Sequence, residues 1–308
     1  MSPAAPTLQD IVRKTTDFLA AKGVASARLD AELLMAHALG WTRMEVFTRF
    51  DYPLSENELE RCRQLLRRRA SGESVAAIIG KKGFYHHDWS VGPGVLIPRP
   101  ETEMLVDLSL ESAQRFFNAF PDGEGVFRFA DLGCGTGCIG ISIADDLLKR
   151  GRILEAELWE SSPEAIHYAE MNRHQILKTE HLDRVRLNLG RVETEFAALT
   201  TKFELIVANP PYIAEQDHRV EEGVKQHEPH EALYADENGL GCLRRWSALA
   251  VPRLMVGGSL FFEIGDGQGG PIKAHFEKLG LAEVQVHRDL AGLERVVSGR
   301  KPYDSKEY

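Results

Sequence analysis

Asn209-Pro210-Pro211-Tyr212 is the stretch with the most to offer chemically. Proline has no N–H and fixes its own φ, so two in succession leave carbonyls as the only backbone hydrogen-bonding groups, on a stiff frame. Asn209, held extended by the proline after it, adds a side-chain amide. Its oxygen and the Pro210 carbonyl can together accept both hydrogens of a planar –NH2 group, while Tyr212 can lay its ring against the flat face of that group. Such a corner grips an amide or an exocyclic amine, and it contains no proton acceptor stronger than a carbonyl. The same residues also fit a tight Asn-Pro turn closing a strand. The apolar run Phe203 to Ala208 just before them reads as a buried parallel strand. The tetrapeptide therefore hangs from a strand's carboxyl end, where open α/β sheets bind ligands.

Upstream, a second strand from Val126 to Asp131 runs into Leu132-Gly133-Cys134-Gly135-Thr136-Gly137-Cys138-Ile139-Gly140. Glycines at alternate positions let the backbone turn sharply and lie against a bound ligand. Two cofactor classes use such cradles. Gly135 to Gly140 satisfies the dinucleotide pattern G-x-G-x-x-G, and Glu160 lies 20 residues past Gly140, where a ribose-binding acid belongs. Three features favour S-adenosylmethionine instead. Asp131 precedes the glycines, the glycines begin one pair earlier at Gly133, and the asparagine-proline corner sits on a later strand.

Asp131 to Gly137 followed by Asn209 to Tyr212 resembles the class I methyltransferases that modify amide or amino nitrogens. Three further segments resemble signatures of the peptide chain release factor glutamine methyltransferases of the HemK type. These are Val95 to Glu103, Glu228-Pro229 with Ala232-Leu233, and Asp289 to Gly292 with Arg295-Val296. The resemblance covers nearly the whole chain. It implies an α/β protein whose methyltransferase domain, residues 98–308, is a doubly wound, mostly parallel seven-stranded sheet. That domain would follow an N-terminal helical bundle for substrate recognition, 1–74, and a β-hairpin linker, 75–97. The implied reaction moves the methyl group of S-adenosylmethionine to the side-chain nitrogen of glutamine in the Gly-Gly-Gln motif of class I release factors.

Carried onto this sequence, the resemblance makes Asn209, Pro210 and Tyr212 catalytic, with Pro211 joining them in binding substrate. It assigns cofactor binding to Asp131, Gly133, Cys134, Gly135, Thr136, Gly137, Glu160, Arg191 and Asn209. Two positions depart from the family. It usually shows aspartate where Glu160 stands; this longer acid can bind the ribose hydroxyls or cap the helix that starts at Pro163. It commonly has an acid after the third strand, near the adenine amine, where this chain has Gly190-Arg191. Arg191 can stack its guanidinium on the ring or face solvent. Competing functions are a glutamine methyltransferase of a ribosomal protein, adenine-N6 methylation, a dehydrogenase, and a non-catalytic S-adenosylmethionine-binding assembly factor.

The elements that must position these groups follow from pattern and composition. The 308 residues are 43% hydrophobic, ordinary for a globular core, and their net charge of −9 argues against broad binding to duplex nucleic acid. No apolar run approaches the ~18 residues of a membrane span, and the N-terminus lacks a signal-peptide pattern, so a cytoplasmic protein is expected. Cys62, Cys134, Cys138 and Cys242 show no C-x-x-C pairing, so reduced thiols and no metal site are expected. Apolar stripes at Leu8, Ile11, Val12, Thr15 and Leu19, at Leu29, Leu33, Leu34 and His37, and at Leu59, Cys62, Leu65 and Leu66 predict a helical bundle. Arg61, Arg63, Arg67, Arg68 and Arg69 form the dense basic cluster, either a solvated helix face or a dock for an acidic partner or RNA.

Residues 74–94 predict short strands, and Pro98 and Pro100 hold Arg99 extended until Thr102 and Glu103 open a helix. Beyond the glycine loop, strands at 156–159, 185–189, 259–264, 283–288 and 295–299 alternate with helices at 163–178, 239–254 and 271–279. The polar stretch from Ala214 to His230 is long for a connector and is expected to face substrate.

Overall fold

A computed structural model describes residues 5–120 and 125–303. The chain divides into two compact units, one of Met1–Lys81 with Val220–His227, the other of Lys82–Arg219 with Glu228–Tyr308.

The first unit holds α1 (Leu8–Ala21), α2 (Ala27–Leu39), α3 (Arg43–Thr48), α4 (Glu56–Ala70) and α5 (Val75–Ile79). Capping boxes start three of them: Thr7 with Asp10, Thr42 with Glu45, and Ser55 with Glu58. Each box satisfies backbone N–H groups that a helix's first turn leaves unpaired. The core contains Leu8, Leu34, Met35, Leu54 and Cys62. On α2 the buried face departs from the expected Leu29, Leu33, Leu34 and His37 stripe. Leu29 and His37 are exposed, while Ala27, Ala31, Leu34, Met35 and Ala38 are buried. Its alanines let neighbouring helices approach closely, so small residues mark the inner face.

Four of the five clustered arginines are ion-paired within this unit: Arg63 with Glu56 and Glu60, Arg67 with Glu60, Arg68 with Glu73, and Arg69 with Asp30. Acids on α2, α4 and the following turn answer the cluster locally.

The second unit begins with a two-stranded hairpin, β1 (Lys81–Phe84) and β2 (His87–Ser90), whose first residue still belongs to the bundle. The order then runs α6 (Glu103–Ala119), β3 (Phe127–Leu132), α7 (Cys138–Lys149), β4 (Leu154–Glu160), α8 (Pro163–Ile176), β5 (Val185–Leu189) and β6 (Phe203–Ala208). After β6 come β7 (Ile213–Ala214), α9 (Glu222–His227), α10 (His230–Leu233) and β8 (Tyr234–Ala235). The chain closes with α11 (Gly241–Ala250), β9 (Leu254–Glu263), α12 (Gly269–Lys278), β10 (Ala282–Arg288) and β11 (Glu294–Arg300).

Seven strands form one sheet in the order β10-β11-β9-β6-β3-β4-β5, with β11 antiparallel to both β9 and β10 and the other pairings parallel. The chain starts in the middle, winds outward through β4 and β5, then returns to the other side of β3 with β6. That reversal opens a crevice at the strands' carboxyl ends. Register aligns the edge: Leu132 pairs with Ala208 and with Trp159, Glu160 with Leu189, and Ala208 with Phe262. The residues that follow, Gly133, Ser161, Gly190, Asn209 and Glu263, therefore emerge side by side.

The long connector is more structured than its polarity suggested. It contains β7, α9 and α10, and its residues 220–227 belong to the helical unit. There a Cβ on Gly223 would stand 2.4 Å from the Gly72 carbonyl, and His227 Nε2 lies 3.0 Å from the Ser71 carbonyl. The glycine is what permits this backbone approach.

Candidate active site

The glycine loop is held open by its own backbone. Gly133, Gly135 and Gly137 have φ of +69°, +55° and +79°, values that side-chain-bearing residues rarely adopt. The N–H groups of Gly133 and Cys134 both donate to the Trp159 carbonyl, at 2.8 and 2.9 Å, which pins the loop to the end of β4. Asn172 of α8 is buried behind it and donates to the Thr136 carbonyl at 3.0 Å, while exchanging hydrogen bonds with the Ser90 backbone. A Cβ on Gly133 would stand 2.9 Å from the Trp246 ring, so the indole roofs the loop where glycine leaves room.

A cleft opens above this loop. Gly133, Cys134, Gly135, Thr136, Glu160, Arg191, Asn209 and Pro211 line it, with Val95, Arg99 and Thr102 on one side and Glu193 and Trp246 on another. Glu160 is already engaged with backbone. It accepts from Gly135 N at 2.9 Å, Ser161 N at 2.8 Å and Ser162 N at 2.9 Å, tying the loop after β4 to the glycine loop. The cap of α8 is Ser162, whose hydroxyl accepts from Ala165 N. Trp246 Nε1 donates to Glu193 at 2.7 Å. An acid thus stands on the cleft wall three positions past Gly190, within the helical turn Val192–Phe196.

Asp131, Gly137, Pro210 and Tyr212 do not line the cleft. Asp131 is fully buried, and its Oδ2 accepts from Gly140 N at 2.9 Å, so it secures the start of α7 from behind the loop. Burial pushes its carboxyl up to about 7; the Gly140 amide opposes that rise and the Glu160 charge adds to it. Burial likewise raises the Cys134 thiol, and takes the Cys138 thiol up to about 12, so both stay protonated at neutral pH. All four cysteines are free and buried. Among the described residues, no cluster of three or more His, Cys, Asp or Glu side chains is arranged to hold a metal.

The asparagine-proline corner is fixed from behind. Asn209 Nδ2 donates to the buried Thr102 hydroxyl at 3.3 Å. This turns the –NH2 end of the amide toward Thr102 and leaves Oδ1 as an acceptor on the cleft wall. Tyr212 turns its ring inward, and its hydroxyl donates to Glu263 Oε1 at 3.0 Å. Its backbone carbonyl accepts from Gln268 Nε2 at 2.8 Å. Gly239 fits against the same carbonyl, where a Cβ would come within 2.2 Å. Burial, then the Glu263 charge and hydrogen bond, keep the phenol neutral.

Two sequence segments that lie far apart meet on the cleft's other side. Arg99 pairs with Glu228 at 2.5 Å, and Glu228 also accepts from Ile97 N at 3.3 Å. The Glu228 side chain is 5% exposed, which makes Arg99 the partner of a buried charge. Thr102, Glu263, Gln268 and Asn172 were not singled out as site residues by the sequence. A charged residue ending the apolar strand Leu260 to Glu263 was the one available signal.

The family model described as the PrmC N-terminal domain matches residues 10–80, and that described as the methyltransferase small domain matches residues 112–227. Relatives that carry the name release factor glutamine methyltransferase include the following three. That of Burkholderia pseudomallei is 36% identical, over 89% of this chain and 92% of its own. That of Geobacter sulfurreducens is 35% identical over 96% of each chain. The Vibrio cholerae protein is 36% identical, again over 96% of each.

Proposed function

The chain belongs to the release factor glutamine methyltransferase family, and on that premise we propose that it methylates the side-chain amide of the glutamine in the Gly-Gly-Gln motif of class I peptide chain release factors. The methyl donor is S-adenosylmethionine, the helical bundle serves substrate recognition, and the enzyme works in the cytoplasm. Among the described residues no helix is long and apolar enough to cross a membrane.

The observation that carries this reading is the orientation of Asn209. With Nδ2 committed to Thr102, Oδ1 is free to accept from a donor in the cleft. An amide –NH2 is such a donor. The cofactor would lie on Gly133 and Gly135, whose left-handed backbone lines the cleft, and a Cβ on Gly133 would close on Trp246. Glu160 offers its carboxylate at the ribose, and Glu193 with Trp246 supplies an acceptor and a flat ring for the adenine. When bound, S-adenosylmethionine supplies an electrophilic methyl group on a sulfonium.

A glutamine amide nitrogen is a poor nucleophile because its lone pair is delocalised into the carbonyl. Asn209 Oδ1 on the cleft wall accepts one of its hydrogens and, in this reading, the Pro210 carbonyl just outside the cleft lining accepts the other, which aims the nitrogen and favours the positive charge that builds on it. S-adenosylmethionine held by the glycine loop would supply the methyl carbon to the nitrogen lone pair, and its sulfur would keep the electron pair of the bond that breaks. The N-protonated amide then loses its extra proton to water. No side-chain base is required beforehand.

The test is incubation of the purified protein with isotopically labelled S-adenosylmethionine and a class I release factor, with the modified residue mapped by mass spectrometry. Label on the Gly-Gly-Gln glutamine, and none on a release factor in which that glutamine is replaced, is the expected result. Label on a ribosomal protein in place of the release factor would overturn the substrate assignment.

A further inference from the structure

We infer that the tip of the β10–β11 hairpin, with Leu290 at its point, is a docking knob for the release factor: an apolar anchor that seats in an uncharged notch on the surface beside the Gly-Gly-Gln motif. The inference rests on the transfer reading above and adds a contact to it that touches neither the cofactor nor the reacting glutamine.

The segment Asp289 to Gly292 with Arg295 lines no part of the cleft. It builds the turn between β10 and β11, and Asp289 organises that turn. Its Oδ1 accepts from Ala291 N at 2.9 Å and from Leu293 N at 3.0 Å, and its Oδ2 accepts from Arg295 Nε at 2.7 Å. The Asp289 backbone donates to the Leu293 carbonyl and accepts from Gly292 N, each at 2.9 Å. Arg288 Nη1 donates to the Gly292 carbonyl at 2.8 Å, and Gly292 takes the φ of +83° that closes the turn. This bonding holds Leu290 fully exposed at the point, with exposed Ala291 and Leu293 beside it. Single exposed leucines are common on protein surfaces. One carried on a turn that is already ordered differs, because a partner that buries it gains the apolar contact without first having to fix the loop. The charges around the tip are paired, Arg288 with Glu294 at 2.8 Å and Arg295 with Asp289 at 2.7 Å. The tip therefore offers apolar contact and not a net charge.

Its position identifies the occupant. β11 runs antiparallel to β9 and pairs Val296 with Glu263, the last residue of β9. The tip thus projects past the sheet's carboxyl edge, the edge from which Asn209 emerges. In the order β11-β9-β6 the two are separated by two strand spacings, about 10 Å. The turn after β9 bridges them. On one side Gln268 donates to the Tyr212 carbonyl at 2.8 Å, and Gly265 lies against the Tyr212 ring, where a Cβ would stand 3.4 Å from Cδ2. On the other side Asp266 accepts from Glu294 N at 3.2 Å, and Glu294 Oε2 accepts from Gly269 N at 3.0 Å. Corner and tip are two ends of one bonded ridge.

The chemistry of the transfer brings the acceptor protein to that ridge. The glycine loop after β3 and the loops after β4 and β5, which take the cofactor, all lie on one side of β6. Displacement at carbon needs the nucleophile in line with the departing sulfur and opposite to it. The glutamine therefore reaches Asn209 from the other side, across the ends of β9 and β11. Its side chain is short, so the body of the protein that carries it comes to rest over the ridge, where Leu290 stands.

The experiment measures kcat and KM for methyl transfer to a full-length class I release factor, with the parent protein and its Leu290→Ala, Leu290→Asp and Leu290→Met variants. S-adenosylhomocysteine affinity by calorimetry, melting temperature and sedimentation are followed in parallel. Leu290→Ala should raise KM for the release factor roughly 10-fold, the size of a buried leucine side chain's contribution. Leu290→Asp should raise it further, because its carboxylate would have to be desolvated. Leu290→Met, which keeps volume and polarity, should stay within about threefold of the parent. At saturating release factor kcat should remain within about twofold, the pattern of a contact made equally before and during the transfer. Cofactor affinity should remain within about twofold and melting temperature within about 2 °C, because the exposed side chain supports nothing in the fold. Asp289→Ala keeps Leu290 but frees the turn, and it should also raise KM.

An unchanged KM in Leu290→Ala and Leu290→Asp overturns the inference. So does a fall in kcat at unchanged KM, or a dimer of the parent protein that Leu290→Asp dissociates, which would make a second copy of the chain the occupant. Failure of the transfer reading itself is distinguishable, because the parent protein would then leave the release factor unlabelled at every concentration.

Discussion

Replacing Asn209 by alanine removes one of two acceptors for the glutamine –NH2 and leaves the Pro210 carbonyl alone. A hydrogen bond to a group that becomes charged contributes about 1.5–3 kcal/mol. Losing half of a preorganised grip also frees the nitrogen to rotate away from the methyl, and such groups are worth 10²–10³ in rate in other active sites. Together these give about 3 kcal/mol, or a kcat lowered by roughly two orders of magnitude. The structural penalty is smaller. The Asn209–Thr102 bond is 3.3 Å long and near the cleft surface, so its loss costs about 1 kcal/mol of stability. Initial rates at saturating release factor and cofactor isolate kcat, and calorimetry with S-adenosylhomocysteine checks that the cleft is intact. The variant should bind the ligand within about threefold of the parent protein, since Asn209 is one wall residue among many. A kcat within tenfold of the parent, at unchanged affinity and melting temperature, would refute the account of the corner.

Three further outcomes follow from the geometry. Asp131 keeps its proton to about pH 7 in the folded protein, against about 4 when unfolded. The native state therefore binds more protons between those values, and stability falls as pH rises through them. Glu263 acts in the same direction and window, so Asp131→Asn should flatten the slope of unfolding free energy between pH 5 and 7.5 without abolishing it; an unchanged slope in denaturant titrations would contradict this. Gly133→Ala forces a Cβ to φ +69° and to 2.9 Å from Trp246, and should cost about 1–3 kcal/mol of stability, with S-adenosylhomocysteine affinity falling more than 10-fold by calorimetry. Arg99→Ala leaves the buried Glu228 carboxylate without its ion pair. The Arg99 side chain is 35% exposed, so the loss should be about 2–3 kcal/mol rather than the ~3–5 of a fully buried pair, readable as a lower denaturant midpoint.

Much of the sheet was legible because buried parallel strands announce themselves as apolar runs. The run Phe203 to Ala208 coincides with β6, whereas the edge strand β5 matches the alternating segment Val185 to Leu189. The glycine loop was legible for a related reason, since alternate glycines have few uses outside left-handed backbone. What sequence could not give was orientation. Nothing in the order of residues says that Tyr212 turns away from the cleft to meet Glu263, or that Asp131 faces α7 and not a ligand. Both depend on which neighbours the sheet register supplies. The α2 stripe missed for another reason, because a helix surrounded by other helices buries alanines, and hydrophobicity ranks alanine too low to mark a face. Segment 220–227 joins the helical unit through glycine and backbone contacts, which leave no hydrophobic pattern to read.

The most direct test is the structure of the protein with S-adenosylhomocysteine and a peptide or release factor carrying the Gly-Gly-Gln motif. The glutamine amide nitrogen should lie within hydrogen-bonding distance, about 3 Å, of both Asn209 Oδ1 and the Pro210 carbonyl oxygen, on a line toward the cofactor sulfur. A glutamine nitrogen held by other groups, with Asn209 Oδ1 bonded into the protein interior, would contradict the account.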